Sequence, residues 1–273
     1  MTKSYNATSP KMAAYIIELM YPHKKTVEVI ELDNKVLKEI EVYSSDENST
    51  ETYITKEDVY TFVRMFNAVL DRVFPLFKLL NDYTKAIVKI FSKLNIPIPW
   101  TLPSGALISQ SYLNYNSVKL KPFSFINSKY SFRTIIKDEF RTDKQRSSIM
   151  PNLIHSLDAS SIAILYSYLS QDKITDIYTV HDCFAVTANN VETLISDLKS
   201  VYLYIYTGSE YITNLDNHIK ETIISQFGKD KFSSDGKYVY VGESKKILFP
   251  DITSITKDKS CIKGLTKSSN IIT

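Results

Sequence analysis

Glycine is scarce, with six residues in a chain of 273. That leaves no room for the glycine-rich turn that cradles a dinucleotide or a nucleoside triphosphate, so any nucleotide is held by another device. Cysteine is rarer still. Cys183 and Cys261 stand far apart without spaced cysteine or histidine companions, which excludes a disulfide framework and a zinc site and fits a reducing compartment. No run of about 18 apolar residues occurs, the length a bilayer-spanning helix requires, and no membrane partner is expected. The first residues, "MTKSYNATSPKM", carry neither an apolar signal core nor an arginine-rich presequence. An organellar protein of this kind is expected to be made where it works. Strong charge is also missing: 33 Lys and Arg against 30 Asp and Glu leave +3, so a nucleic-acid partner has to be argued from local patches.

What is present is ordinary folded-protein composition, 44% hydrophobic and 23% charged, in a chain long enough for one large or two modest domains. Asn, Ile, Lys and 19 Tyr are heavily used, as in a chain translated from an A+T-rich genome.

Ser9-Pro10 starts a helix over 10–20, a capping hydroxyl followed by proline at the first helical position. "TVEVIELDNKVLKEIEVY" reads as a hairpin over 26–43 turning at Asp33-Asn34-Lys35, with the polar loop "SSDENSTE" behind it. Thr55 with Asp58 three residues on opens a longer helix. Residues 56–95 form two amphipathic helices broken at Pro75, the second carrying Lys85, Lys89 and Lys93 on what reads as a solvated face. From 97 to 150 the pattern shortens to strands, with Lys119, Lys121, Arg133, Lys137, Arg141, Lys144 and Arg146 interleaved with Tyr and Phe. Such a segment suits a nucleic-acid backbone through charge neutralisation and stacking. Pro151-Asn152 closes a loop, a helix begins near His155, two strands flank residue 181, two helices fill 190–227, and a polar tail starts at about 251.

The stretch "DIYTVHDCFAV" (176–186) carries a histidine and an acid at its middle. At a two-residue hairpin turn both central side chains project outward, so Asp182 is either a turn former or a carboxylate poised for a hard cation. Two-metal phosphoryl transfer uses such carboxylates, but needs a second one. A Cys183-His181-Asp182 hydrolase fails on geometry, because consecutive strand residues do not converge. In "PNLIHSLDASS" (151–161), Ser156 and Asp158 are explained as caps of a helix start. His155 is not, and an imidazole there suits a sugar hydroxyl or a base edge.

"PNLIHSLDASS" followed about twenty residues later by "YTVHDCFAV" resembles the C-terminal palm of the single-subunit, bacteriophage-type DNA-directed RNA polymerases, most closely those of mitochondria and linear mitochondrial plasmids. "IPIPWTLPSGALISQSY" (96–112), "FPLFKLLNDYTKAI" and "MTKSYN" look like further segments of that family, so the resemblance covers nearly the whole chain and fades in the tail. It implies an α+β, helix-rich fold, the C-terminal fingers and palm portion of the right-hand polymerase. Residues 1–154 would be the end of the fingers with the inserted hairpin, and 155–273 the palm, whose β-hairpin carries the catalytic aspartate.

Residue by residue, the resemblance implies that Asp182 is one of two magnesium-binding palm aspartates and that His181 contacts the growing RNA end. It implies that His155 reaches the minor groove of the hybrid and that Tyr5 helps select ribose. The position after Tyr5, commonly glycine, is Asn6. The expected partners are a DNA template, the RNA product and ribonucleoside triphosphates, with Mg2+ as cofactor and a mitochondrial location. In the family the other metal-binding aspartate, the triphosphate-holding arginine and lysine and the promoter-recognising region precede the tyrosine. The chain is therefore expected to be a C-terminal fragment, inactive alone. Alternatives left open are a non-catalytic nucleic-acid-binding remnant and the palm of a related DNA polymerase.

Overall fold

The structure, a computed structural model, describes residues 8–31, 34–47, 53–120, 130–171, 174–180, 183–208, 210–242 and 245–256. The chain divides into two compact units, Met1–Lys78 and Leu79–Thr273.

In the first unit α1 (Ser9–Glu18) is capped at Thr8 rather than Ser9, with Pro10 in its first turn and no side-chain cap bond. The Ser9 hydroxyl instead accepts a hydrogen bond from Asn67 Nδ2 at 3.3 Å. Strands β1 (Tyr21–Glu31) and β2 (Asn34–Ser44) pair antiparallel, from Tyr21 opposite Ser44 to Glu31 opposite Asn34. The hairpin is longer than the 26–43 read from pattern because it includes Pro22. A proline is tolerated there, since β1 is an edge strand with only β2 beside it. A short β3 (Ile54–Thr55) pairs with Tyr43 and Val42. Thr55 then caps α2 (Lys56–Val73) with the expected capping box: Asp58 N–H donates to Thr55 Oγ1 at 3.2 Å, and Thr55 N–H donates to Asp58 Oδ2 at 2.9 Å. Val59 and Val63 of α2 bury against Met12 and Ala13 of α1.

Pro75 divides two helices as expected: Phe74 N–H closes α2 on the Leu70 carbonyl at 2.8 Å, and α3 (Pro75–Leu94) begins. In the second unit α3 buries Tyr83, Ile87, Val88, Ile90 and Phe91, while Lys89 and Lys93 are exposed and Lys85 is half-buried. The lysine stripe is therefore the solvent side of this helix. Strands β4 (Ile98–Thr101) and β5 (Leu107–Gln110) form a hairpin whose connection needs glycine, because Gly105 adopts φ 87°. Strands β6 (Leu113–Leu120) and β7 (Tyr130–Phe140) form a two-stranded ribbon with a bulge between Leu113 and Tyr115.

The expected loop at Pro151-Asn152 is not there. Instead α4 runs from Thr142 to Gln171 with Pro151 inside it, so Ser156 and Asp158 are interior residues rather than caps. Proline removes one intrahelical donor, and the helix continues because Ile149, Met150 and Leu153 on either side are buried. Strands β8 (Ile177–Val180) and β9 (Cys183–Val186) follow as an antiparallel hairpin. The two helices expected over 190–227 are α5 (Val191–Leu203) and α6 (Tyr211–Phe227), joined by a wider helical turn over Tyr204–Gly208. Gly228, at φ 86°, ends α6. Strands β10 (Tyr238–Tyr240) and β11 (Lys246–Leu248) and the short α7 (Thr253–Thr256) complete the described chain.

Among the described residues of the second unit, two groups of apolar side chains pack together. Leu165 and Leu169 of α4 meet Leu194, Leu198 and Val201 of α5, and Ile177, Phe184 and Val186 of the β8–β9 hairpin pack on them. Ile87 of α3, Trp100 of β4, Ile149 and Leu153 of α4 and Leu215 and Ile219 of α6 close around a residual void of about 10 Å³. The described residues thus form the mixed, helix-rich α+β fold that the resemblance implies, with α4 shared by both clusters.

Candidate functional site

The β8–β9 hairpin is a strand pair buried on one face. Ile177, Phe184 and Val186 turn towards α4 and α5, whereas Tyr178, Val180 and Cys183 are exposed. This is the alternation of a half-buried strand. The register pairs Val180 with Cys183, so residues 181 and 182 fall between the last paired positions. His181 and Asp182 themselves lie outside the described residues, as do Tyr5 and Asn6.

His155 is described, and it is exposed on α4. It edges a cleft of about 370 Å³ whose walls include Trp100, Gln110, Tyr112 and Asn152. The two sequence segments singled out above, 96–112 and 151–161, therefore meet: the β4–β5 hairpin lies along α4. Their contact is polar as well as apolar. The Trp100 indole, fully buried, donates to Ser156 Oγ at 3.1 Å, and that hydroxyl donates to the Leu153 carbonyl at 2.8 Å. The backbone N–H of Ser104 donates to Ser160 Oγ at 2.9 Å. Gln110 Nε2 donates to the Gln145 carbonyl at 3.0 Å, and Asn152 Nδ2 donates to Gln110 Oε1 at 2.9 Å and Tyr112 Oη at 3.3 Å. Nothing local in the sequence points to Gln110 or Gln145 as a pair, because 35 residues separate them.

Two phenols near this contact have raised pKa values. Burial pushes the Tyr211 phenol well above its ordinary range, against a smaller downward pull from Ser156. Burial, the charge of Asp158 and then Tyr202 raise Tyr206, whose ring stacks on Tyr202 at a centroid distance of 6.1 Å. Away from the cleft, the buried Asp216 carboxylate accepts from Tyr83 Oη at 2.8 Å and pairs with Lys220 Nζ at 2.6 Å. Burial first, and the Asp216 charge second, drive the Tyr83 phenol far above its ordinary value.

The basic, aromatic segment forms the β6–β7 ribbon and the start of α4. Arg133 places its guanidinium 4.7 Å from the Tyr115 ring centre, Arg141 lies 5.7 Å from the same ring, and Lys144 Nζ lies 5.4 Å from the Tyr112 ring. Such pairs hold cations over aromatic faces while leaving them solvent-accessible. Lys119, Lys137 and Arg146 are exposed nearby in sequence; Lys121 lies outside the described residues.

Among the described residues there is no group of three or more His, Cys, Asp or Glu side chains that could hold a metal ion. No described helix is long and apolar enough to cross a membrane.

Residues 1–258 match the family model of DNA-dependent RNA polymerase, and the chain belongs to that family. A "Probable DNA-directed RNA polymerase" of Podospora anserina is 36% identical over 228 residues, covering 79% of this chain and 24% of the relative. One of the same description from Agaricus bitorquis is 34% identical over 190 residues, 69% of this chain and 17% of the relative. The human "DNA-directed RNA polymerase, mitochondrial" is 24% identical over 151 residues, 55% of this chain and 12% of its own length. The chain thus spans about a quarter or less of the length of these relatives.

Proposed function

We propose that these 273 residues are the end of the fingers and the palm of a single-subunit DNA-directed RNA polymerase that adds ribonucleotides to an RNA 3′ end on a DNA template. The observation that carries the reading is the family match over residues 1–258. The β8–β9 register supports it, because Val180 pairs with Cys183 and a strand pair therefore flanks positions 181 and 182 on both sides in sequence. In this reading Asp182 is one magnesium-binding carboxylate, His181 lies beside the growing RNA end, His155 reaches the hybrid's minor groove and Tyr5 selects ribose. The second carboxylate, the triphosphate cations and the promoter-recognising region belong to the part of the family's length that these residues do not span. The β6–β7 ribbon and the start of α4 grip the template backbone through Arg133, Arg141 and Lys144. A mitochondrial site of action fits the human mitochondrial relative, although a chloroplastic polymerase of Nicotiana sylvestris is also similar, at 25% identity.

The test is RNA primer extension by two proteins. One is the 273-residue chain by itself; the other is the same chain joined in frame to the remaining length of the Podospora anserina relative. The expected outcome is extension with ribonucleotides by the joined protein and none by the chain alone. A deoxyribonucleotide preference in the joined protein, or extension by the chain alone, contradicts the reading. Template binding without any extension in the joined protein favours a non-catalytic remnant.

A further inference from the structure

The contact between β5 and α4 contains a relay of three side-chain amides whose polarity can be read from its anchor. Gln110 and Gln145 are almost fully buried, 3% and 1% exposed. A backbone carbonyl only accepts, so Gln110, lying 3.0 Å from the Gln145 carbonyl, must turn its NH2 group towards it. The same NH2 group reaches Gln145 Oε1 at 2.5 Å. Its oxygen then faces Asn152 at 2.9 Å, and Asn152 must answer with its own NH2 group. The Tyr112 hydroxyl takes the second donor contact of Asn152 at 3.3 Å. Each amide in the chain has one orientation that satisfies its neighbour, and reversing any of them sets two acceptors or two donors face to face.

The terminal member of the relay, Asn152, lies on the wall of the cleft that His155 edges, one helical turn before it on α4. With its NH2 group engaged by Gln110 and Tyr112, the group of Asn152 that the relay leaves uncommitted is its carbonyl oxygen. We infer that Gln110 and Gln145 are positioning residues, which lock Asn152 so that it offers an acceptor to a hydrogen-bond donor of the nucleic acid in this cleft. The inference rests on the polymerase reading above. A ribose 2′-hydroxyl and a guanine amino group share the required donor chemistry. Two buried glutamines are otherwise a costly way to join a strand to a helix, since apolar side chains of the same shape would leave no polar group to desolvate.

The test measures binding of the 273-residue chain to a short, guanine-containing RNA–DNA hybrid by fluorescence anisotropy. Asn152→Ala is expected to weaken binding about fivefold, the scale of one neutral hydrogen bond. Gln110→Met is expected to weaken it by a similar factor, and the double variant by no more than either single one. Gln145→Leu keeps the backbone carbonyl that anchors the relay and is expected to have the smaller effect. A merely structural role predicts losses of similar size in the two, since both are almost fully buried. Replacing guanine by inosine removes the amino donor, and replacing the RNA strand by DNA removes the 2′-hydroxyl. The sensitivity to Asn152→Ala is expected to disappear in one of these arms.

Unchanged affinity in Gln110→Met beside a loss in Asn152→Ala overturns the relay, as does a multiplicative double variant. Should Gln110→Met fail to fold, the side-chain amide protons of Asn152 provide the check in the wild-type chain. Slow exchange with solvent supports the lock, and fast exchange overturns it. If Asn152→Ala and His155→Ala both bind hybrid as tightly as wild type, the polymerase reading of the cleft falls, and the inference with it.

Discussion

Tyr83 and Asp216 illustrate what a single buried hydroxyl does in this chain. The carboxylate of Asp216, 3% exposed, has one oxygen on Tyr83 and the other on Lys220. Tyr83→Phe removes one donor and leaves that oxygen buried and unsatisfied, at a cost of about 1–3 kcal/mol, read as a lower urea midpoint with an unchanged slope. The pH dependence has a definite sign. Burial and the nearby carboxylate raise the folded-state pKa of the phenol, so the folded chain keeps a proton that the unfolded chain releases. The contribution is complete below the unfolded value of about 10 and is lost as pH rises towards the folded one. Tyr83→Phe should therefore flatten the alkaline fall in stability; an alkaline limb identical to wild type contradicts this assignment. Tyr5 belongs to the same scale. In the joined polymerase Tyr5→Phe should relax discrimination against deoxyribonucleotides, and unchanged discrimination counts against its role in ribose selection.

At the scale of elements, the β6–β7 ribbon gives the clearest expectation. If Arg133 contacts a phosphate, Arg133→Ala weakens DNA binding to a similar degree on all sequences and lowers the salt slope by about one unit. A slope equal to wild type means that this arginine serves only Tyr115.

Local signals in the sequence were reliable where the physics is local. The Thr55-Asp58 capping box, the break at Pro75, the glycine that ends α6 and the strand pair around residue 181 all appear where composition puts them. The start of α4 did not. Proline reads as a helix boundary because it usually is one, but burial of Ile149, Met150 and Leu153 on both sides carries the helix through Pro151. The capping role expected for Ser156 fails for the same reason, and its hydroxyl holds the Trp100 indole instead. The amide relay was illegible for a different one: its members are polar residues brought together from sites 35 and 42 positions apart. No periodicity or motif encodes such a pairing.

At the scale of the whole molecule, the chain belongs to the DNA-dependent RNA polymerase family yet spans about a quarter of the Podospora anserina relative. The second unit has its own apolar clusters and a polar cleft between two family-like segments. The proposed chemistry has a carboxylate at position 182 working with groups from the remainder of the polymerase, since a single carboxylate does not make a two-metal clamp. The most direct measurement is RNA extension by the joined polymerase carrying Asp182→Asn, with template binding followed in parallel. Extension is expected to be abolished while the template is bound about as tightly as by the wild type. Substantial residual extension by the variant would contradict it.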